Sequence, residues 1–146
     1  MLLLILLAML VGVVLPVQSG VNAQLRIGLG HPLLAAFVSF AVGTIALLGL
    51  NLALRTSVPS GEALGRLSWW HWIGGLLGAT YIYLAIVLAP RLGAATLVAS
   101  IVTGQMVTSL ILDHFGLIGY PQQSITPARF VGALLVIGGV LLIQRR

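Results

Sequence analysis

The chain has 146 residues, of which 60% are hydrophobic and 6% charged, and its mean hydropathy is +1.16. A soluble domain carries roughly 25% charged residues, so this chain cannot cover an aqueous surface. It reads as one integral membrane domain, 1–146, with no room for a soluble one. The net charge of +5 comes from seven arginines and no lysine, set against Glu62 and Asp113. The arginines stand one or two at a time between apolar runs, which is the placement of juxtamembrane charge and not a nucleic-acid footprint.

A spanning helix needs about 20 mostly apolar residues, and the sequence offers five such runs. The first covers about Leu2–Leu25. Its start, "MLLLILLAML" with "VNAQ" following, has the outline of a signal peptide, but no Lys or Arg precedes the apolar run, so a first transmembrane helix is expected. Within it Gln18 and Asn22 are four apart and share a face, with Ser19 beside them and Pro16 just before. Two readings stay open for these amides: interhelical hydrogen bonding, or the lining of a substrate path. "GLGHP" (28–32) breaks the run and a second span follows, about Leu33–Leu54.

The polar loop "RTSVPSGEALGRLS" leads to a third span, about Trp69–Leu88, ended by "APRLG". Trp69 and Trp70, with Trp72, read as an aromatic belt at the headgroups. Gly74 and Gly78 make a small-xxx-small pair, at the spacing that suits helix–helix contact. Tyr81 and Tyr83 lie deeper, on different faces, so at most one lines a cavity; cation–π contact with an organic cation is one use of such a ring.

The fourth span, about Ala94–Phe115, is the most polar. Gln105, Ser109 and Asp113 recur every four residues and form a stripe, with Thr103 and Thr108 alongside, and Thr96 and Ser100 continue the polarity toward the helix start. Asp113 is the only aspartate. Near a helix end, a carboxylate either pairs with a nearby arginine or caps a loop, or it serves coupling or gating. The fifth span, about Arg129–Ile143, carries Gly132 and Gly139 seven apart on one face, where two helices could pack closely.

Five spans put the two chain ends on opposite sides. Arg55, Arg66 and Arg129 then fall on the side of the amino terminus, and Arg26, Arg91, Arg145 and Arg146 on the other. The arginine bias that normally sets orientation nearly vanishes. Either a short chain has few charges to count, or copies insert both ways. Two copies in opposite orientation recreate the inverted repeat of many secondary transporters, with the substrate site near the midplane. No repeat is visible within the chain itself.

Catalytic constellations are absent from the sequence. It holds no cysteine, no phosphate loop and no HExxH, and the histidines His31, His71 and His114 have no partner at metal-ligand spacing. No enzyme activity, cofactor or metal is expected.

The stretches "LPVQSGVNAQLRIGLGHPLLAAFVSFAVGT", "WWHWIGGLLGATYIYLAIVLAPRLGAAT" and "GQMVTSLILDHFGL" resemble the DUF606 (YdcZ-like) family of the drug/metabolite transporter superfamily, over nearly the whole chain. The fifth span also resembles the last helix of small multidrug resistance transporters. The resemblance implies a five-helix unit working as a pair in a bacterial cytoplasmic membrane. In one respect the chain departs from the multidrug transporters: they carry a glutamate midway along their first helix, whereas Gln18 and Asn22 stand here with no acid. Proton-coupled export of cations is therefore in doubt, and a neutral, polar or anionic substrate is at least as plausible.

The expectation is an all-α membrane protein whose five transmembrane helices pair with a second, inverted copy to carry a small molecule by alternating access. Gln18 and Asn22 are expected to line the path opposite Gln105 and Ser109, with Tyr81 contributing. Gly132 and Gly139 are expected to pack the dimer, and Asp113 to gate or orient at the mouth. The rival readings are a non-transporting subunit of a membrane complex and a lipid or lipid-linked flippase.

Overall fold

Hydrocarbon offers no hydrogen-bond partner, so an apolar run that crosses a bilayer satisfies its backbone by closing into a helix. The computed structural model describes residues 2–144, and there the apolar runs are all helical, with no strand among the described residues. In chain order the helices are α1 (Leu2–Leu29), α2 (Pro32–Ala53), α3 (Gly61–Gly65), α4 (Ile73–Leu92), α5 (Ala94–Phe115) and α6 (Pro127–Ile143). A short 3-10 turn, Trp69–Trp72, leads directly into α4, and another, Leu117–Gly119, follows α5. With Trp69–Leu92 taken as one continuous span, four helices among the described residues are long and apolar enough to cross a membrane. The fifth, α6, has 17 residues, about 26 Å of helix, at the lower end of what spans a bilayer. Arg145 and Arg146, which enter the orientation count, lie outside the described residues.

Two spans run further than their sequence suggests, and both extensions matter for the site. α1 continues past Leu25 to Leu29 and stops at Gly30, whose φ is +76°. Arg26 therefore sits in the last turns of a helix and not in a loop. α4 continues past Leu88 to Leu92 with Pro90 inside it. Proline normally marks a helix end because it has no N–H to give to the carbonyl four residues back. The carbonyl deprived here is that of Ile86, and Arg26 supplies a donor: its Nη1 lies 3.5 Å from Ile86 O.

The chain divides into two compact units, the first ending at Pro90 and the second beginning at Arg91. In the first, α1 and α2 form a helical hairpin. Ala35, Ala36 and Ile86 are buried together, with Leu25, Ile82 and Tyr83 packed against them. Ile86 of α4 has no exposed surface in this cluster. At Gly78 a Cβ would stand 3.6 Å from Phe40 Cζ, so α2 and α4 also meet through that glycine. In the second unit, α5 and α6 form a hairpin that buries Leu97, Leu110 and Ala133. No more than 11% of the most apolar window of any long helix is buried, which leaves most of that surface to lipid or another chain.

Candidate functional site

The first polar group of interest runs along α1. Gln18, Asn22 and Arg26 are spaced by four and share a face. Just before them the helix carries Pro16, and the Ser19 hydroxyl donates to the Leu15 carbonyl at 3.0 Å; both features locally loosen or bend a helix. Gln18 is half-buried and Asn22 is 5% exposed. Neither amide is hydrogen-bonded to another described residue. Yet no side-chain nitrogen or oxygen among the described residues is both sealed from solvent and without a partner, so the Asn22 amide opens onto a small accessible space. Arg26 is half-buried and turns inward, toward the carbonyl of the fully buried Ile86. Reasoning from sequence counted Arg26 among the juxtamembrane charges and not with the polar face of α1. The signal that finds it is the continued four-residue period Gln18–Asn22–Arg26.

The second group lies on α5. Gln105 falls at the midpoint of that helix and is exposed, as are Thr108 and Ser109. No described residue bonds the Gln105 amide. Thr103 differs, because its hydroxyl donates to the Ala99 carbonyl at 3.0 Å and so needs no other partner. At the far end of the stripe Asp113 is ion-paired to Arg129 of α6, with the two side chains 22% and 30% exposed respectively.

The Asp113–Arg129 pair belongs to a wider clasp. Arg129 Nη1 donates to the Gln123 carbonyl at 3.0 Å, and its backbone N–H donates to the capping hydroxyl of Thr126 at 3.3 Å. The Asp113 carbonyl accepts from Gln123 N at 2.7 Å, Gln122 Nε2 donates to the His114 carbonyl at 3.1 Å, and Ile125 N donates to His114 Nδ1 at 3.3 Å. Gly116 makes this return possible. It ends α5 in a left-handed conformation, φ +61°, and a Cβ there would stand 3.3 Å from Gln122 Cβ. Of the two readings open for Asp113, pairing with an arginine at a helix end is the arrangement seen.

The remaining predicted residues divide between the units. Tyr81 is half-buried on α4 and has no hydrogen-bond partner among the described residues, while Tyr83 packs into the Ala35–Ile86 cluster. Gly132 is exposed and Gly139 half-buried, and a Cβ on either would meet open space, so neither is used in packing within the chain. Of the pair Gly74 and Gly78, Gly78 touches Phe40 and Gly74 faces open space. The Trp70 ring stacks on His71, centroids 3.8 Å apart, at the exposed start of the third span, where Trp69 and Trp72 are also exposed, as an interfacial belt requires. Among the described residues no group of His, Asp and Glu could hold a metal ion.

The family model described as "Putative inner membrane exporter, YdcZ" matches residues 3–142. The "Inner membrane protein YdcZ" of Escherichia coli strain K12 is 28% identical over 135 residues, spanning 92% of this chain and 90% of the relative. No solved structure matches.

Proposed function

Because the chain belongs to the YdcZ family, whose members it matches over residues 3–142, we propose that it exports a small molecule by alternating access as an antiparallel pair of identical copies. The chain is a multi-pass inner membrane protein and a membrane transporter. Gln18, Asn22, Tyr81, Gln105 and Ser109 line the path, Asp113 orients or gates at its mouth, and Gly132 and Gly139 pack copy against copy.

One observation carries this reading. Gln105 stands exposed at the midpoint of α5 with no partner for its amide. An unbonded amide facing hydrocarbon is costly, and the midplane is where transporters of this general kind hold their substrates. A water-filled space or a second copy resolves the cost, and a path between copies supplies both. The open space at Gly132 and Gly139, and the near-balance of arginines on the two sides, support the inverted pair.

The test joins topology to flux. Reporter fusions at the C-terminus should signal comparably from both sides of the membrane, and a one-sided signal overturns the inverted homodimer. In vesicles holding the purified protein, Gln18→Ala and Asn22→Ala should abolish flux of whichever compound the wild type carries, while the dimer persists. Normal flux in both variants removes these residues from the path.

A further inference from the structure

We propose that Arg26, with Asn22 and Gln18 leading up to it, forms a binding site for an oxyanion, a carboxylate or phosphate group. This inference rests on the transporter reading and gives it a substrate class.

The inference starts from Arg26's surroundings. A guanidinium near the end of a membrane helix ordinarily snorkels outward to the headgroups. Here it turns inward, and its one hydrogen bond within the described residues is a long one, 3.5 Å, to the carbonyl of a residue with no exposed surface. Guanidinium has five N–H donors, so one long bond to a neutral acceptor leaves most of its capacity open. Pro90 holds this arrangement in place, because it denies Ile86 O its helical donor and keeps that carbonyl free for Arg26.

The second step is the absence of a countercharge. The chain has two acids. Glu62 pairs with Arg66 on the exposed loop and Asp113 pairs with Arg129. Neither carboxylate engages Arg26. A half-buried cation without an acid is an expensive arrangement in a membrane protein, and a ligand's own negative charge offsets it. The planar fork of Arg matches a carboxylate or phosphate in bidentate fashion, which a point charge does not.

The third step is the neighbourhood. One turn before Arg26 is the almost fully buried Asn22, whose amide has no partner among the described residues and reaches accessible space. An amide N–H₂ there adds donors to the same anion, and Gln18, one turn further back, meets the polar remainder of the molecule. The absence of any acid on this face argues equally against a cationic ligand. An anion at such a site has two sources, a transported solute or the headgroup of an anionic lipid, and the chemistry of recognition is the same for both.

Binding can be tested without transport. Full-length protein in phosphatidylcholine nanodiscs is titrated with inorganic phosphate and with benzoate, following thermal stability and tryptophan fluorescence. In parallel, native mass spectrometry counts phosphatidylglycerol retained from mixed vesicles. Wild type should bind at least one of these three probes. Arg26→Gln should weaken that binding about tenfold or more, Arg26→Lys should restore part of it, and Arg66→Gln should leave it unchanged. Arg26-dependent effects of phosphate or benzoate assign the site to a solute, and Arg26-dependent retention of phosphatidylglycerol alone assigns it to a headgroup. No binding of any probe, or binding that Arg26→Lys and Arg26→Gln leave untouched, overturns the proposal. Should Arg26→Gln fail to fold, Asn22→Leu keeps the cation and still predicts weakened binding. Flux of an anionic solute through Arg26→Gln at wild-type rate sinks Arg26 as the transported anion's site while leaving the transporter standing.

Discussion

Two arginines at helix ends have opposite fates in this chain. Arg129, in the first turn of α6, has its charge matched: its side chain meets the Asp113 carboxylate and the Gln123 carbonyl, and its backbone meets the Thr126 cap. Arg26, in the last turns of α1, has a single long bond to a neutral carbonyl. The contrast turns on whether protein partners match an arginine's charge. Where they do, as in the α5–α6 clasp, the charge fastens a loop. Where they do not, the surplus is available to something that is not protein.

The comparison breaks most sharply at Asn22. Asn22→Leu keeps the branched outline and removes the amide, and it should cut flux about tenfold or more while the purified protein still folds. Equal flux in the variant would place Asn22 among ordinary packing residues.

Next comes a contrast between glycines. Gly78→Leu drives a side chain into Phe40 and should destabilise the first unit by about 1–3 kcal/mol, whereas Gly132→Leu has open space within the chain and should weaken only the pairing of copies. Denaturation and sedimentation in detergent separate the two effects, and a Gly132→Leu variant that stays dimeric would remove that glycine from the interface.

The clasp should respond more mildly. Its ion pair is partly exposed, so Asp113→Asn or Arg129→Gln should cost about 1 kcal/mol or less, and the double variant should cost less than the sum of the two. Flux lost in Asp113→Asn beyond what the stability loss explains would establish a gating role in addition to the pairing. The smallest effect is expected at Pro90→Ala. It restores an N–H for the Ile86 carbonyl, frees Arg26 from its anchor, and should raise the KM for an anionic substrate a few-fold, leaving kcat nearly unchanged.

Much of this was legible from the residues alone. A long apolar run in hydrocarbon satisfies its backbone as a helix, so where the apolar helices fall follows from hydropathy. The apolar run over Ala94–Phe115 forms α5, which Gly116 ends in a left-handed conformation. The same logic misplaced the ends of α1 and α4, because a polar Arg26 and a Pro90 both look like terminators when read locally. Each is tolerated through the other: the proline frees a carbonyl and the arginine takes it.

The sequence by itself determined that this is a membrane protein, that it is helical, and that Gln18 and Asn22 share one face of α1 and Gln105 and Ser109 one face of α5. Those properties depend on composition and on the period of one helix, which are local. Only the tertiary structure decided which polar groups are already satisfied. Whether Asp113 finds Arg129, whether Ile86 loses a donor and gains Arg26, and whether Gly78 rather than Gly74 touches a neighbour all depend on residues distant in the chain. Hydrogen bonds and ion pairs are made at contact distance, and no spacing along a single helix reports what stands across from it.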